Sequence, residues 1–235
     1  LTTVFLQIIS NMANDYGDFV NGKDTAERIG PKRMVQSGEI SAKKMFRGII
    51  ILGIITAFTG LALILVGTAG IDITNILIFA VLGIAAIVAA VKYTVGKNPY
   101  GYRGLGDIFV FVFFGLVGVM GTYFLHTKTL SWDILLPASA IGLLSTAVLN
   151  MNNMRDYETD KSAKKQTIVV KMGIPKARIY HLILISGAFT ALGIFGVIRF
   201  ESIWQWLFLP VWYGSHSDGW SFIRITEKKF LYLML

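Results

Sequence analysis

Five blocks of about twenty apolar residues, charged only near their ends, limit this chain more than anything else in it. They occupy residues 45–66, 73–95, 107–125, 133–151 and 179–199. Each has the length a helix needs to cross the ~30 Å hydrocarbon core of a bilayer. That core offers no partner to a backbone N–H or C=O, so only helices and closed barrels can span it. The blocks are rich in Leu, Ile, Ala and Gly and lack the in–out alternation of barrel strands. The expected fold is therefore an all-α, polytopic transmembrane bundle. Composition agrees, with 54% hydrophobic residues and only 15% charged, where a soluble domain carries about a quarter charged. Residues 1–13 read as the end of a further span and residues 203–213 as a short or partial one. The chain opens on Leu1, and the expectation is a bundle truncated at both ends that lacks its N-terminal span. Residues 1–212 would form the membrane domain and residues 213–235 an atypical polar and aromatic tail. With no cysteine, disulfides and thiolate metal sites are excluded.

A net charge of +8 raises the question of nucleic acid, but the placement of the charge answers it. Seven of the 22 Lys and Arg lie in residues 15–47, three in 92–103 and seven in 155–178, while the intervening connections 67–75 and 126–132 hold only Lys128. Alternate loops are basic and neutral, which is the positive-inside pattern of a membrane protein. The partner is the bilayer, not nucleic acid, and the three basic loops are expected on the cytoplasmic side of an inner membrane. Trp132, Trp204, Trp206 and Trp212 fall near expected helix ends, where interfacial aromatics anchor a span.

Two clusters of Asn and Asp end long apolar segments. The first runs Asn11, Asn14, Asp15, Asp18, with Asp24 beyond; the second runs Asn152, Asn153, Asp156, Asp160. On a helix the first set follows i, i+3, i+4, i+7, and Asn153, Asp156 and Asp160 follow i, i+3, i+7, so each forms one polar stripe. Asn14-Asp15-x-x-Asp18 also aligns with Asn152-Asn153-x-x-Asp156, which suggests two related halves. Acids at the edge of a membrane span are costly and imply function. Oxygen donors without His or Cys suit a hard cation, Mg²⁺ above all. Lys23, Arg28, Lys32 and Arg33 follow the first cluster, and Arg155, Lys161, Lys164 and Lys165 flank the second. Carboxylates for metal beside cations for phosphate oxygens describe a diphosphate clamp. At the mouth of an apolar bundle it suits a diphosphate head carrying a long hydrocarbon tail. Helix capping and surface ion pairing explain Asp24, Glu27 and Glu39 as well as any ligand role. A third basic segment, Lys97 to Asp107, holds Tyr100, Tyr102 and Arg103, which could position an aromatic co-substrate.

Taken together these stretches resemble the UbiA superfamily of intramembrane aromatic prenyltransferases. The residues that carry the resemblance are Asn14 to Asp18 with Asp24, Arg28 to Arg33 with Ser37 to Ser41, Tyr100 to Asp107, Asn152 to Asp160, and Lys164 to Thr167 leading to Gly173. The nearest branch prenylates 1,4-dihydroxy-2-naphthoate in menaquinone biosynthesis. The resemblance implies a helical bundle with Mg²⁺ and polyprenyl diphosphate between the two aspartate motifs. It implies Asp15, Asp18, Asp156 and Asp160 as metal-binding and catalytic residues, with Asp24 in question because the superfamily's usual acidic position is Gly22 here. Asn14, Asn153, Lys32, Arg33, Tyr100, Tyr102, Arg103 and Asp107 would bind substrate. The implied product is demethylmenaquinone, formed with loss of CO₂. The alternatives are another acceptor, such as 4-hydroxybenzoate, or a divalent-cation transporter. Transporters place their sites near the bilayer midplane, whereas these acids lie at one edge.

Overall fold

A computed structural model describes residues 1–23 and 33–210. The helices are α1 Thr2–Val20, α2 Ala42–Gly67, α3 Ile73–Lys92, α4 Gly106–Val110, α5 Gly121–Thr127, α6 Leu135–Arg155, α7 Tyr157–Ser162, α8 Ile168–Met172 and α9 Ile174–Ile198. A 3₁₀ turn, Tyr100–Arg103, precedes α4, and a π-helical stretch, Phe111–Met120, joins α4 to α5. There is no strand among the described residues. Five stretches are long and apolar enough to cross a membrane: Ala42–Gly67, Ile73–Lys92, Gly106–Thr127, Trp132–Arg155 and Ile174–Ile198. Phe58, Val81 and Ile183 on these helices are 70%, 65% and 63% exposed. Side chains of that kind face outward where the surroundings are lipid. The chain is an all-helical integral membrane protein.

The residues form two compact units. The first comprises Leu1–Gly106, Gly121–Thr129 and Glu158–Thr167. In it α1 packs on α2 and α3, burying Ile9, Ala13, Met45 and Ile49 with Val35. Ser41 caps α2 by accepting from the Lys44 amide (3.4 Å) and Asp72 caps α3 by accepting from Thr74 (3.2 Å). At the far end Lys128 donates to the carbonyls of Gly67 and Leu125, in the last turns of α2 and α5. A lysine there satisfies otherwise orphaned acceptors and meets the negative end of each helix.

The second unit comprises Asp107–Met120, Leu130–Tyr157 and, of the described residues, 168–210. Here α6 lies on α9 through buried Ala140, Ala188 and Ala191. The π-helical stretch meets α6 where Gly115 faces Gly142: a Cβ on Gly115 would come within 2.6 Å of the Ala138 carbonyl oxygen. Small residues allow membrane helices this approach.

Several boundaries differ from the sequence reading. Residues 15–20 are not loop but the last turns of α1, which runs unbroken from Thr2 through the whole first cluster. The second stripe is not one helix. It breaks at Asp156, which caps α6 at φ −91°, ψ 10° and whose carboxylate is gripped by its neighbour Arg155 at 2.8 and 2.9 Å. A short side chain of this kind competes with helix backbone and favours an end over an interior. α9 begins at Ile174, ahead of the expected 179, because Pro175 suits a first helical turn. Residues 203–213 begin with a 3₁₀ turn, Ile203–Trp206, capped by Ser202. Asp24, Lys32, Trp212 and the tail 213–235 lie outside the described residues.

Candidate active site

The first cluster belongs to the C-terminal half of α1, and its spacing turns Asp18 inward. Asp18 is 2% exposed. Its carboxylate meets Arg33 Nη1 at 2.5 Å and Lys165 Nζ at 3.2 Å, and accepts from the Tyr102 hydroxyl at 2.5 Å. Lys165 lies equally close, 3.2 Å, to an oxygen of Asp160, itself 6% exposed. One ammonium thus bridges an aspartate from each cluster, and it also sits 5.2 Å above the Tyr102 ring. Burial, followed by the charge of Asp18 and the hydrogen bond to it, holds the Tyr102 hydroxyl protonated well above the ordinary tyrosine range, with Arg33 opposing. That hydroxyl is a fixed donor to the carboxylate.

The backbone explains why these groups converge. α1 ends in a left-handed turn at Gly22 (φ +62°), where Gly22 N–H bonds the Phe19 carbonyl (3.0 Å) and Lys23 N–H the Asp18 carbonyl (2.7 Å). α7 ends in the same way at Lys164 (φ +57°): Lys164 N–H bonds Lys161 (3.1 Å) and Lys165 N–H bonds Asp160 (2.9 Å). Both are Schellman closures, with aspartate at the third residue from the helix end and lysine just past the left-handed residue. By this geometry Asp18 corresponds to Asp160, which corrects the sequence alignment of Asp18 with Asp156. The two ends also exchange lysines: Lys165 reaches Asp18, and Lys23 donates to the Ala163 carbonyl.

Thr94 fastens α1 to the segment that follows α3. Its hydroxyl donates to the Ala13 carbonyl (2.8 Å) and lies 3.2 Å from Asn14 Oδ1, while Asn21 donates to the carbonyls of Gly17 (2.8 Å) and Thr94 (3.0 Å). Only glycine fits at position 17, because a Cβ there would stand 2.6 Å from both Thr94 oxygens. The Tyr102 carbonyl accepts from Gln166 N–H (2.7 Å), joining the 3₁₀ turn to the strap after α7. Both oxygens of Asp15 accept backbone N–H groups, from Met34 (3.0 Å) and Val35 (3.2 Å). Arg33 also donates to the Asn14 carbonyl (2.5 Å). Further along α1, an apolar cavity of about 250 Å³ opens between α1, α2 and α3, lined by Thr2, Leu6, Thr56, Gly60, Ile64 and Ile87.

Of the residues singled out by sequence, the first unit therefore brings together Asn14, Asp15, Asp18, Arg33, Tyr102 and Asp160. Tyr100 is turned to structure, donating to the Ala89 carbonyl (2.8 Å) and stacking edge-on against Tyr93, and burial raises its hydroxyl pKa. Arg103 is exposed on the same turn. In the second unit, Asp107 is buried and accepts from the Tyr180 hydroxyl (3.1 Å), Asp156 pairs with Arg155, and Asn153 is half-buried on α6. No group of three or more His, Cys, Asp or Glu among the described residues is arranged to hold a metal ion. Sequence reasoning counted Lys165 and Lys23 among the cations for phosphate oxygens without singling either out, and overlooked Thr94 and Asn21. The twice-repeated Asp-x-x-x-[Gly/Lys]-Lys spacing was the signal for the two lysines.

The family model for the UbiA prenyltransferase family matches residues 1–229. The chain is 51% identical over 209 residues to the 1,4-dihydroxy-2-naphthoate octaprenyltransferase of Haemophilus influenzae and 47% identical over 209 residues to that of Escherichia coli. Each alignment covers 89% of this chain and 67% of the relative. The protein of the same name from Mycobacterium tuberculosis is 36% identical over 189 residues, covering 80% of this chain and 62% of its own length. No solved structure matches.

Proposed function

The chain belongs to the UbiA prenyltransferase family, and on that footing we propose that it transfers a polyprenyl group from polyprenyl diphosphate to 1,4-dihydroxy-2-naphthoate. The relatives' names support this acceptor. The observation that carries the reading is the pairing of Asp18 and Asp160 through one ammonium at the polar end of apolar helices.

The same pairing tests whether Mg²⁺ suits the site. The protein already holds a cation between these two carboxylates, and the donors are hard oxygens, of which magnesium needs only one or two from protein when phosphate supplies more. Asp18 and Asp160 would hold the ion, with Asp15 of the same unit as a further candidate. When bound, it neutralises charge on the diphosphate as that group departs. The remaining work falls to side chains. Arg33, Lys165 and Lys23 supply donors to the phosphate oxygens, Arg33 in a planar fork suited to them. Tyr102 fixes the Asp18 carboxylate. The cavity beside Leu6 and Ile64 offers apolar wall to a hydrocarbon chain and keeps water from it.

In this mechanism the allylic C–O bond breaks and its electron pair leaves with diphosphate. The naphthoate ring carbon bearing the carboxylate then bonds the allylic carbon. Loss of that carboxylate as CO₂ returns its bonding pair to the ring and leaves the prenylated 1,4-diol, the quinol form of demethylmenaquinone. The excess of Lys and Arg on the loops at the acidic end supports a cytoplasmic site. The experiment is to incubate membranes containing the protein with labelled polyprenyl diphosphate, dihydroxynaphthoate and Mg²⁺, with 4-hydroxybenzoate in competition. Prenylated, decarboxylated naphthol that disappears with a chelator supports the reading. Exclusive use of the benzoate, or no product, overturns it.

A further inference from the structure

We infer that Lys165 is an exchangeable counter-cation: it neutralises Asp18 and Asp160 before substrate arrives, yields that place to a divalent cation, and then binds diphosphate oxygens. The inference rests on the metal–diphosphate reading of this site. Lys165 Nζ is 3.2 Å from an oxygen of each aspartate, the separation of a full ion pair, and only 13% of the side chain is exposed. A dication shared by these two carboxylates and the ammonium cannot occupy the same space, and their like charges repel.

The neighbouring bonds let the ammonium leave without loosening the fold. The Lys165 main chain is fixed on its own, N–H to the Asp160 carbonyl at 2.9 Å. The two helix ends remain joined through Lys23 and the Ala163 carbonyl. Asp18 keeps Arg33 and the Tyr102 hydroxyl. The Tyr102 ring, 5.2 Å from the ammonium, gives the displaced cation an adjacent face. A lysine stem with a compact charge suits movement between partners, whereas Arg33 is bound to both Asp18 and the Asn14 carbonyl and suits a fixed post.

Exchange makes Lys165→Met act in opposite directions on two ligands, which loss of a merely structural lysine would not do. Without diphosphate, the variant should bind Mn²⁺ more tightly by roughly tenfold, because a competing positive charge has gone. It should bind inorganic pyrophosphate, measured with saturating Mn²⁺, more weakly by roughly tenfold, because a charged donor has gone. Lys165→Arg, which keeps the charge, should leave Mn²⁺ affinity within about twofold of the parent. Spin resonance of free Mn²⁺ and titration calorimetry on the whole protein in detergent give both constants.

A second measurement uses the unaltered protein. Acetylation of Lys165, read by mass spectrometry, should rise when Mn²⁺ is added and fall when pyrophosphate follows. Weaker Mn²⁺ binding by Lys165→Met, or acetylation that Mn²⁺ leaves unchanged or lowers, overturns the exchange. Asp18→Asn and Asp160→Asn separate the two failures. If neither weakens Mn²⁺ binding, the metal reading of the site falls; if they weaken it and Lys165→Met does too, only the exchange falls.

Discussion

Replacing Gly17 with alanine tests the packing that aims Asp18. A Cβ at position 17 would lie 2.6 Å from the carbonyl and hydroxyl oxygens of Thr94, where ordinary contact begins near 3.4 Å. The overlap of about 0.8 Å falls on backbone that also receives Asn21, so no side chain can turn aside to relieve it. Overpacking of this kind costs about 1–3 kcal/mol. Loss of the Thr94–Ala13 and Asn21–Thr94 bonds adds about 1 kcal/mol each. Against this, alanine is the better helix former by about 1 kcal/mol. The net is a destabilisation of about 3 kcal/mol, which lowers the unfolding midpoint by roughly 6–12 °C for a chain of this size. Gly53→Ala is the control, also helical but with nothing within 4 Å of its Cβ, and should be neutral or stabilising by up to about 1 kcal/mol. Thermal unfolding of both variants in one detergent reads the difference. Prenyl transfer by Gly17→Ala should fall about a hundredfold, since a shift near 1 Å in a positioning group costs that much. If Gly17→Ala is as stable and as active as Gly53→Ala, the close contact does not position the site.

Lys164 holds a left-handed conformation (φ +57°) that glycine adopts without strain, so Lys164→Gly should stabilise by about 1 kcal/mol, read as a raised midpoint with the Lys165 contacts retained. Tyr102→Phe should cost about 1.5 kcal/mol by removing a donor to a buried carboxylate. Its pH dependence follows from the raised hydroxyl pKa: the stabilisation is complete below the unfolded value of 10.0 and is lost progressively as pH rises from there to the higher folded value. The stability gap between parent and Tyr102→Phe should thus be flat up to about pH 10 and shrink above it, and their phenolate absorbance should coincide through the range where ordinary tyrosines ionise.

The spans were legible because a membrane leaves so few choices: an apolar run of about twenty residues has to be a helix. The first cluster was legible for a related reason, since i, i+3, i+4, i+7 spacing is itself a helix face, and α1 carries it intact. The second was misread because the same spacing crosses a helix break at Asp156. At that break Arg155 holds the Asp156 carboxylate, and periodicity does not record where a helix ends. Lys165 was hidden for a different reason. The Asp-x-x-x-[Gly/Lys]-Lys spacing marks it, but that spacing gains meaning only when the left-handed turn at Lys164 shows which lysine returns to Asp160. Thr94 lies at the end of an apolar helix, and only the approach of Gly17 marks it as part of the site.

The claim on which the account depends is that Asp18 and Asp160 act as one cation-binding unit. A double-mutant cycle with Asp18→Asn and Asp160→Asn, scored by the rate of prenyl transfer, tests it most directly. Each single change should lower the rate about a thousandfold, and the double variant should be little worse than the weaker single, because either loss already dismantles the unit. Independent, multiplying losses would contradict the account.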